Sequence, residues 1–208
     1  MIYDTIKQAK VVPVIAIESV RHALALADAL IEGGLPVAEI TFRTEAAAQV
    51  ISILAKERPN LLIGAGTILT VDSLNKAVDS GAQFGVAPGL NPKVLKATLK
   101  LKFSFSPGIM TPSDIEIALD MGVRVLKFFP AEAAGGLKML SSLAAPYAHT
   151  GVKFIPTGGI AVSNYRDYLS KAFVLAVGGT WIATKENIAA GNWETIKSNC
   201  EELTSRPM

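Results

Sequence analysis

Val123-Arg124-Val125-Leu126-Lys127-Phe128-Phe129-Pro130 is an apolar run with a primary amine near its end. As a strand, it alternates faces every residue, so Val125, Lys127 and Phe129 share one side and Leu126 and Phe128 the other. If the second pair packs on helices, the amine enters the interior of the sheet. A lysine so placed either snorkels to water or is kept dry. Desolvation penalises the ammonium form of a dry amine, and an uncharged amine attacks carbonyl carbon to form a Schiff base. The rest of the chain favours the dry amine.

Outward from this run, the chain alternates short β-rich apolar segments with longer segments of helical period. The strand candidates are Val11–Ile17, Val37–Phe42, Leu61–Ala65, Gln83–Ala87, Phe103–Phe105, Val123–Phe128, Lys153–Pro156 and Val174–Val177. Helices are expected over Ser19–Glu32, Glu45–Arg58, Val71–Ser80, Pro92–Lys100, Pro112–Met121 and Ala161–Lys171. Ser19, Asn91 and Thr111 read as N-caps, with Pro92 and Pro112 at first helical positions. Gly33, Gly81 and Gly122 stand where helices end on glycine. Strict strand–helix alternation implies a parallel sheet. Eight such runs in 208 residues, about 26 residues each, predict a single-domain (β/α)8 TIM barrel spanning 1–208. An open doubly wound sheet is the competitor, but its Gly-rich turn after the first strand is missing, since Ile17 runs into Glu18-Ser19.

Composition narrows the function. Half of the residues are hydrophobic and 18% are charged, with mean hydropathy +0.37; this is a heavily buried domain. A formal net charge of +2, with scattered basic residues, gives no reason to expect nucleic acid. No apolar run approaches the ~20 residues of a membrane span, and Met1-Ile2-Tyr3-Asp4 does not open like a signal peptide. The single cysteine, Cys200, has no disulfide partner, which fits a reducing compartment. A cytoplasmic protein is expected.

Chemistry in a barrel sits at the C-terminal ends of the strands. Strand two reads Glu39-Ile40-Thr41-Phe42-Arg43, and alternation places Glu39, Thr41 and Arg43 together, pointing inside. An unpaired charge there costs several kcal/mol, so Glu39 and Arg43 either pair with each other or belong to a site. Glu39 and Lys127 both lie on even-numbered strands, which fill the same interior layers. Strands three to five end in Gly64-Ala65-Gly66-Thr67, Ala87-Pro88-Gly89 and Ser106-Pro107-Gly108, where glycine lets backbone approach a ligand and proline stiffens the rim. Strands seven and eight end in Thr157-Gly158-Gly159-Ile160 and Gly178-Gly179-Thr180. Paired glycines there, opening toward helix N-termini, match the phosphate site of this fold. Ordinary βα turns are the alternative reading. Only two histidines occur, His22 and His149, neither at an expected strand end, so neither a metal centre nor a Ser-His-Asp triad is expected.

Taken in order, Glu39-Ile40-Thr41-Phe42-Arg43-Thr44, Gly64-Ala65-Gly66-Thr67, Pro88-Gly89, Ser106-Pro107-Gly108, Lys127-Phe128-Phe129-Pro130-Ala131-Glu132 and Pro156-Thr157-Gly158-Gly159-Ile160 resemble the bifunctional family of 2-keto-3-deoxy-6-phosphogluconate (KDPG) and 4-hydroxy-2-oxoglutarate (KHG) aldolases. The likeness covers essentially the whole chain, and Lys-Phe-Phe-Pro-Ala-Glu is its most specific segment. It implies a class I aldolase on a TIM barrel, usually a homotrimer, with neither metal nor cofactor and with a keto acid or phosphosugar acid as substrate. By the same resemblance Lys127 forms the Schiff base with pyruvate and Glu39 is the general acid/base. Arg43 and Thr67 hold the pyruvate carboxylate. Gly158, Gly159, Gly179 and Thr180 hold phosphate, and Pro88, Phe129 and Thr157 complete the substrate contacts. Thr180 stands where many relatives carry serine, and the N-terminus is shorter than in some, which implies a less covered barrel bottom.

Two other functions fit the same polar ends. A phosphosugar isomerase or epimerase would use Glu39 and the phosphate loops without an imine, and a non-catalytic phosphosugar-binding module would use the loops alone. The order of preference between the KDPG and KHG substrates is not readable from the residues.

Overall fold

The computed structural model describes residues 2–205, so Met1 and residues 206–208, which belong to the expected 1–208 domain and to the N-terminal reading, lie outside it. Nine parallel strands are present among the described residues: β1 (Val11–Ile15), β2 (Val37–Thr41), β3 (Leu62–Gly66), β4 (Phe84–Val86), β5 (Ser104–Ser106), β6 (Gly108–Ile109), β7 (Val125–Phe128), β8 (Lys153–Pro156) and β9 (Val177–Gly179). The helices are α1 (Ile2–Ala9), α2 (Ala23–Glu32), α3 (Ala47–Glu57), α4 (Val71–Asp79), α5 (Pro92–Lys100), α6 (Pro112–Asp120), α7 (Gly136–Ala144), α8 (Tyr165–Leu169), α9 (Lys185–Ala190) and α10 (Trp193–Ser205).

The ladders draw two sheets rather than one ring of eight strands. Six strands run β5-β4-β3-β2-β1-β9 and three run β6-β7-β8. The break lies at Pro107, between β5 and β6. A proline has no amide hydrogen to extend a ladder, and across it the chain changes partner from β4 to β7. The Pro107 carbonyl still accepts from the Lys127 amide at 2.9 Å. At the other edge, β8 makes only isolated bridges, Phe154 with Val174 ahead of β9 and Thr157 with Gly178 within it.

The eighth strand starts later than its sequence suggests. Val174 reaches only the bridge to Phe154, whereas Val177, Gly178 and Gly179 pair with Val11, Val12 and Pro13. The Gly178-Gly179 pair is therefore inside the strand and not in the loop after it. Every residue of β1, β2 and β3 is buried, as expected when a parallel sheet is covered on both faces. The core around them includes Ile15, Leu30, Ile40, Leu54, Phe128 and Phe154, each essentially inaccessible.

Helix starts follow local chemistry. Thr111 caps α6 in a reciprocal capping box with Asp114, behind Pro112. Thr70 and Ser73 do the same for α4, and the Asn91 side chain accepts from the Lys93 amide at α5. Ser19 makes no such bond. A short 3-10 turn over Val20–His22 separates it from α2. Gly81 and Gly122 end their helices with φ of +92° and +79°. Gly33 instead keeps a negative φ, and Gly34, at +79°, makes the turn. Gly33 has a packing reason: a Cβ there would lie 2.5 Å from the Cys200 Cβ of α10. α1, which leads into β1, buries Ile6 and sets the Tyr3 hydroxyl 3.2 Å from Ser106 Oγ of β5. No described helix is long and apolar enough to cross a membrane.

Candidate active site

β2 and β7 each bring one ionisable side chain to the interior. Lys127 pairs in register with Gly108 of β6 and Ile155 of β8; Leu126 and Phe128, on the opposite face, are fully buried. Glu39 pairs with Val14 of β1 and Gly64 of β3. Across the interior, Lys127 Nζ donates to Glu39 Oε1 at 3.1 Å and Oε2 at 3.4 Å. Their exposures are only 6% and 3%, so water screens the pair weakly. One proton moving along this contact converts ammonium and carboxylate into amine and carboxylic acid. A nucleophile and its proton acceptor are thus already in contact.

Gly66, the last residue of β3, makes room for this pair: a Cβ on it would sit 2.2 Å from Glu39 Oε1. The next residue, Thr67, has φ +60°. That left-handed conformation is strained for a β-branched residue. On β2, the buried Thr41 hydroxyl donates to the Ile15 carbonyl at 3.0 Å and accepts from Arg43 Nε at 3.3 Å. Arg43 itself is exposed. It lies beyond the end of β2, at the rim rather than inside, because a guanidinium at a strand end reaches water more cheaply than it is buried.

These residues border one cleft of about 580 Å3, its open mouth included. Every residue selected from sequence lines it: Lys127, Glu39, Arg43, Thr67, Pro88, Phe129, Thr157, Gly158, Gly159, Gly179 and Thr180. The Phe129 ring centroid lies 5.7 Å from Lys127 Nζ. Val14, Thr41, Ile160 and Gly178 also line the cleft and had not been selected. Strand alternation places Thr41 beside Glu39, and Ile160 and Gly178 stand in the strand ends Thr157-Gly158-Gly159-Ile160 and Gly178-Gly179-Thr180, so these three were within reach; nothing in the sequence marks Val14. Gly178 makes space for Thr157, whose Oγ1 would lie 2.4 Å from a Cβ there. Neither histidine lines the cleft, and no group of three His, Cys, Asp or Glu suited to a metal occurs among the described residues.

Beyond the end of β8, the strand next to that of Lys127, Gly158 and Gly159 have φ of +99° and +78°. The Ala131 amide donates to the Thr157 carbonyl at 2.8 Å and the Glu132 amide to the Gly158 carbonyl at 3.0 Å. In a trans peptide the N–H points opposite to the C=O. The amides of Gly158 and Gly159 are therefore turned away from that loop, and successive free amides form a concavity suited to an anion. The expected helix N-termini do not contribute. α8 starts only at Tyr165 and α9 at Lys185, and both are short.

Comparison with known proteins gives a consistent result. The family model described as KDPG and KHG aldolase matches residues 2–199. The 2-dehydro-3-deoxy-phosphogluconate aldolase of Haemophilus influenzae is 49% identical over 195 residues, covering 94% of this chain and 91% of the relative. The KHG/KDPG aldolase of Escherichia coli K12 is 43% identical over 192 residues, with 92% and 89% covered. Among solved structures, KDPG aldolase from Legionella pneumophila, with pyruvate captured as a covalent carbinolamine, superposes with a TM-score of 0.93 at 39% identity over 97% of each chain. By sequence and by fold, the chain belongs to the KDPG and KHG aldolase family.

Proposed function

We propose that the chain is a class I aldolase that reversibly cleaves 2-keto-3-deoxy-6-phosphogluconate to pyruvate and glyceraldehyde 3-phosphate, and that it also accepts 4-hydroxy-2-oxoglutarate, giving pyruvate and glyoxylate. The observation that carries this reading is the shielded contact of Lys127 Nζ with the Glu39 carboxylate at 3.1 Å, in a cleft with an arginine at one side and free glycine amides at the other.

Chemistry follows from that placement. As the keto acid enters, Glu39 takes a proton from Lys127, and the freed amine attacks the C2 carbonyl. Glu39 returns a proton to the carbinolamine oxygen, which leaves as water, and an iminium remains. The iminium withdraws electrons, so the C3–C4 bond breaks to an enamine while Glu39 accepts the proton of the C4 hydroxyl. Protonation of the enamine at C3 and hydrolysis release pyruvate and regenerate the amine. Acid/base help of this kind is worth ~10²–10⁴ in rate. Arg43 grips the carboxylate through its planar fork, aimed by its bond to Thr41, with Thr67 beside it. Thr157, Pro88 and Phe129 shape the middle of the cleft. Gly158, Gly159, Gly179 and Thr180 receive the phosphate.

The two sheets, joined at Pro107 and bridged at Thr157–Gly178, function as one closed (β/α)8 barrel, and residues 1–208 as one aldolase domain. A homotrimer in the cytoplasm completes the reading; the lone, buried Cys200 suits a reducing compartment. Pyruvate release from both keto acids, compared as kcat/KM, tests the assignment. Release from neither would remove it. An isomerase or a binding module would also release none.

A further inference from the structure

Glu132 closes the Lys-Phe-Phe-Pro-Ala-Glu segment, and the reaction above gives it no task. It lines no part of the cleft. Its surroundings are nonetheless specific. Its amide holds the Gly158 carbonyl at 3.0 Å. Its side chain covers Gly159, where a Cβ would lie 2.6 Å from Glu132 Cβ and 2.7 Å from Cγ. Its carboxylate Oε1 accepts a hydrogen bond from the Tyr168 hydroxyl of α8. Tyr168 is 1% exposed, so this hydroxyl is fixed by packing. Burial, and then the carboxylate, hold its ionisation well above the ordinary tyrosine value, so it stays a donor at working pH.

We propose that Glu132, clamped by Tyr168, is a positioning residue that fixes the plane of the Gly158–Gly159 peptide and so aims the two glycine amides at the phosphate of the substrate. Both ends of the turn are held. The Ala131 amide fixes the Thr157 carbonyl, which orients the Gly158 amide; the Glu132 amide fixes the Gly158 carbonyl, which orients the Gly159 amide. Two positive-φ glycines have no side chain to hold them. Without the clamp the turn has many conformations to lose on binding phosphate, and affinity falls accordingly. The effect is confined to the anion end, because the Glu132 carboxylate bonds Tyr168 while Lys127 and Glu39 bond each other. Glu132 therefore acts as a specificity determinant for phosphorylated over unphosphorylated keto acids.

This inference rests on the assignment of the glycine turn to phosphate, so the experiment reads the two separately. Wild type, Tyr168→Phe, Glu132→Ala and Glu132→Gln are assayed with 2-keto-3-deoxy-6-phosphogluconate and with 4-hydroxy-2-oxoglutarate, and inorganic phosphate is tested as an inhibitor of each. Tyr168→Phe and Glu132→Ala are expected to raise KM for the phosphorylated substrate about 5–20-fold and to weaken phosphate inhibition in parallel. KM for 4-hydroxy-2-oxoglutarate and both kcat values stay within about twofold. Glu132→Gln keeps an acceptor for Tyr168 and is expected to stay close to wild type. Equal KM changes for both substrates, or none in either variant, overturn the inference. If wild type itself shows no phosphate inhibition and no advantage for the phosphorylated substrate, the assignment of the turn to phosphate fails instead.

Discussion

Removing the Lys127 amine leaves the Glu39 carboxylate without its partner in a poorly hydrated cleft. Stranding one member of a fully sealed ion pair costs ~3–5 kcal/mol; here the open mouth admits water and the cost is smaller. Catalysis suffers far more. Lys127→Ala is expected to reduce pyruvate release to background, whereas Glu39→Gln keeps the amine and lowers kcat by ~10²–10⁴. Thr67 offers a different kind of test. Its φ of +60° is a strain of ~1–3 kcal/mol that glycine does not feel. Thr67→Gly is expected to raise the denaturation midpoint while raising KM for both keto acids, since the hydroxyl is lost; a fall in both stability and KM would contradict this account of the residue. Lys127, Glu39 and the glycines were legible from strand ends and alternation. The twist of Thr67 and the direct contact of Lys127 with Glu39 were not, because one depends on a single backbone angle and the other on the register between strands far apart in sequence.

Strands and helices act on the site mainly through the space they leave. At Gly66 the closeness of β3 to β2 means that Gly66→Ala pushes the Glu39 carboxylate off Lys127. Its kcat loss is expected to approach that of Glu39→Gln in steady-state assays, although Gly66 carries no functional group. A helix end gives a contrasting outcome. Thr111→Ala removes the hydroxyl that accepts from the Asp114 amide, while the Thr111 amide keeps its bond to the Asp114 carboxylate; this half-lost capping box is expected to cost ~1 kcal/mol of stability in urea unfolding with kcat unchanged. Elements with strong start signals, such as Pro92–Lys100 and Pro112–Asp120, were readable almost to the residue. No range is assigned from sequence to α1, α7, α9 or α10, although the segment around Cys200 reads as helical: α1, α7 and α9 span only eight, nine and six residues, shorter than the window of about 11 in which periodicity is decisive, and α10 is held by packing such as Cys200 against Gly33. Similarly, β9 was displaced because Val174–Val177 is the more apolar run, while pairing with β1 selects Val177–Gly179.

At the scale of the molecule, the alternation of apolar runs correctly gave a parallel α/β fold with its polar residues gathered at one end. It did not give the interruption at Pro107 that divides the hydrogen-bonded ladders, since a proline at a strand end looks the same whether or not the chain changes partner there. Packing of the outer layer predicts pH behaviour. Burial, with a smaller contribution from the Glu201 charge, pushes the Cys200 thiol from its ordinary 9.0 up to about 12. A value raised on folding means its contribution to stability is complete below pH 9.0 and is lost as pH climbs towards about 12. Unfolding midpoints are expected to fall across that window, less steeply in Cys200→Ala, and a disulfide reagent at neutral pH should find no thiol until denaturant is added. The central claim is the imine at Lys127, and borohydride reduction in the presence of pyruvate, followed by peptide mass spectrometry, reads it directly. The account predicts one reduced pyruvyl group per chain, on Lys127, and none in Lys127→Ala; an adduct on another lysine, or none in the wild-type protein, would contradict it.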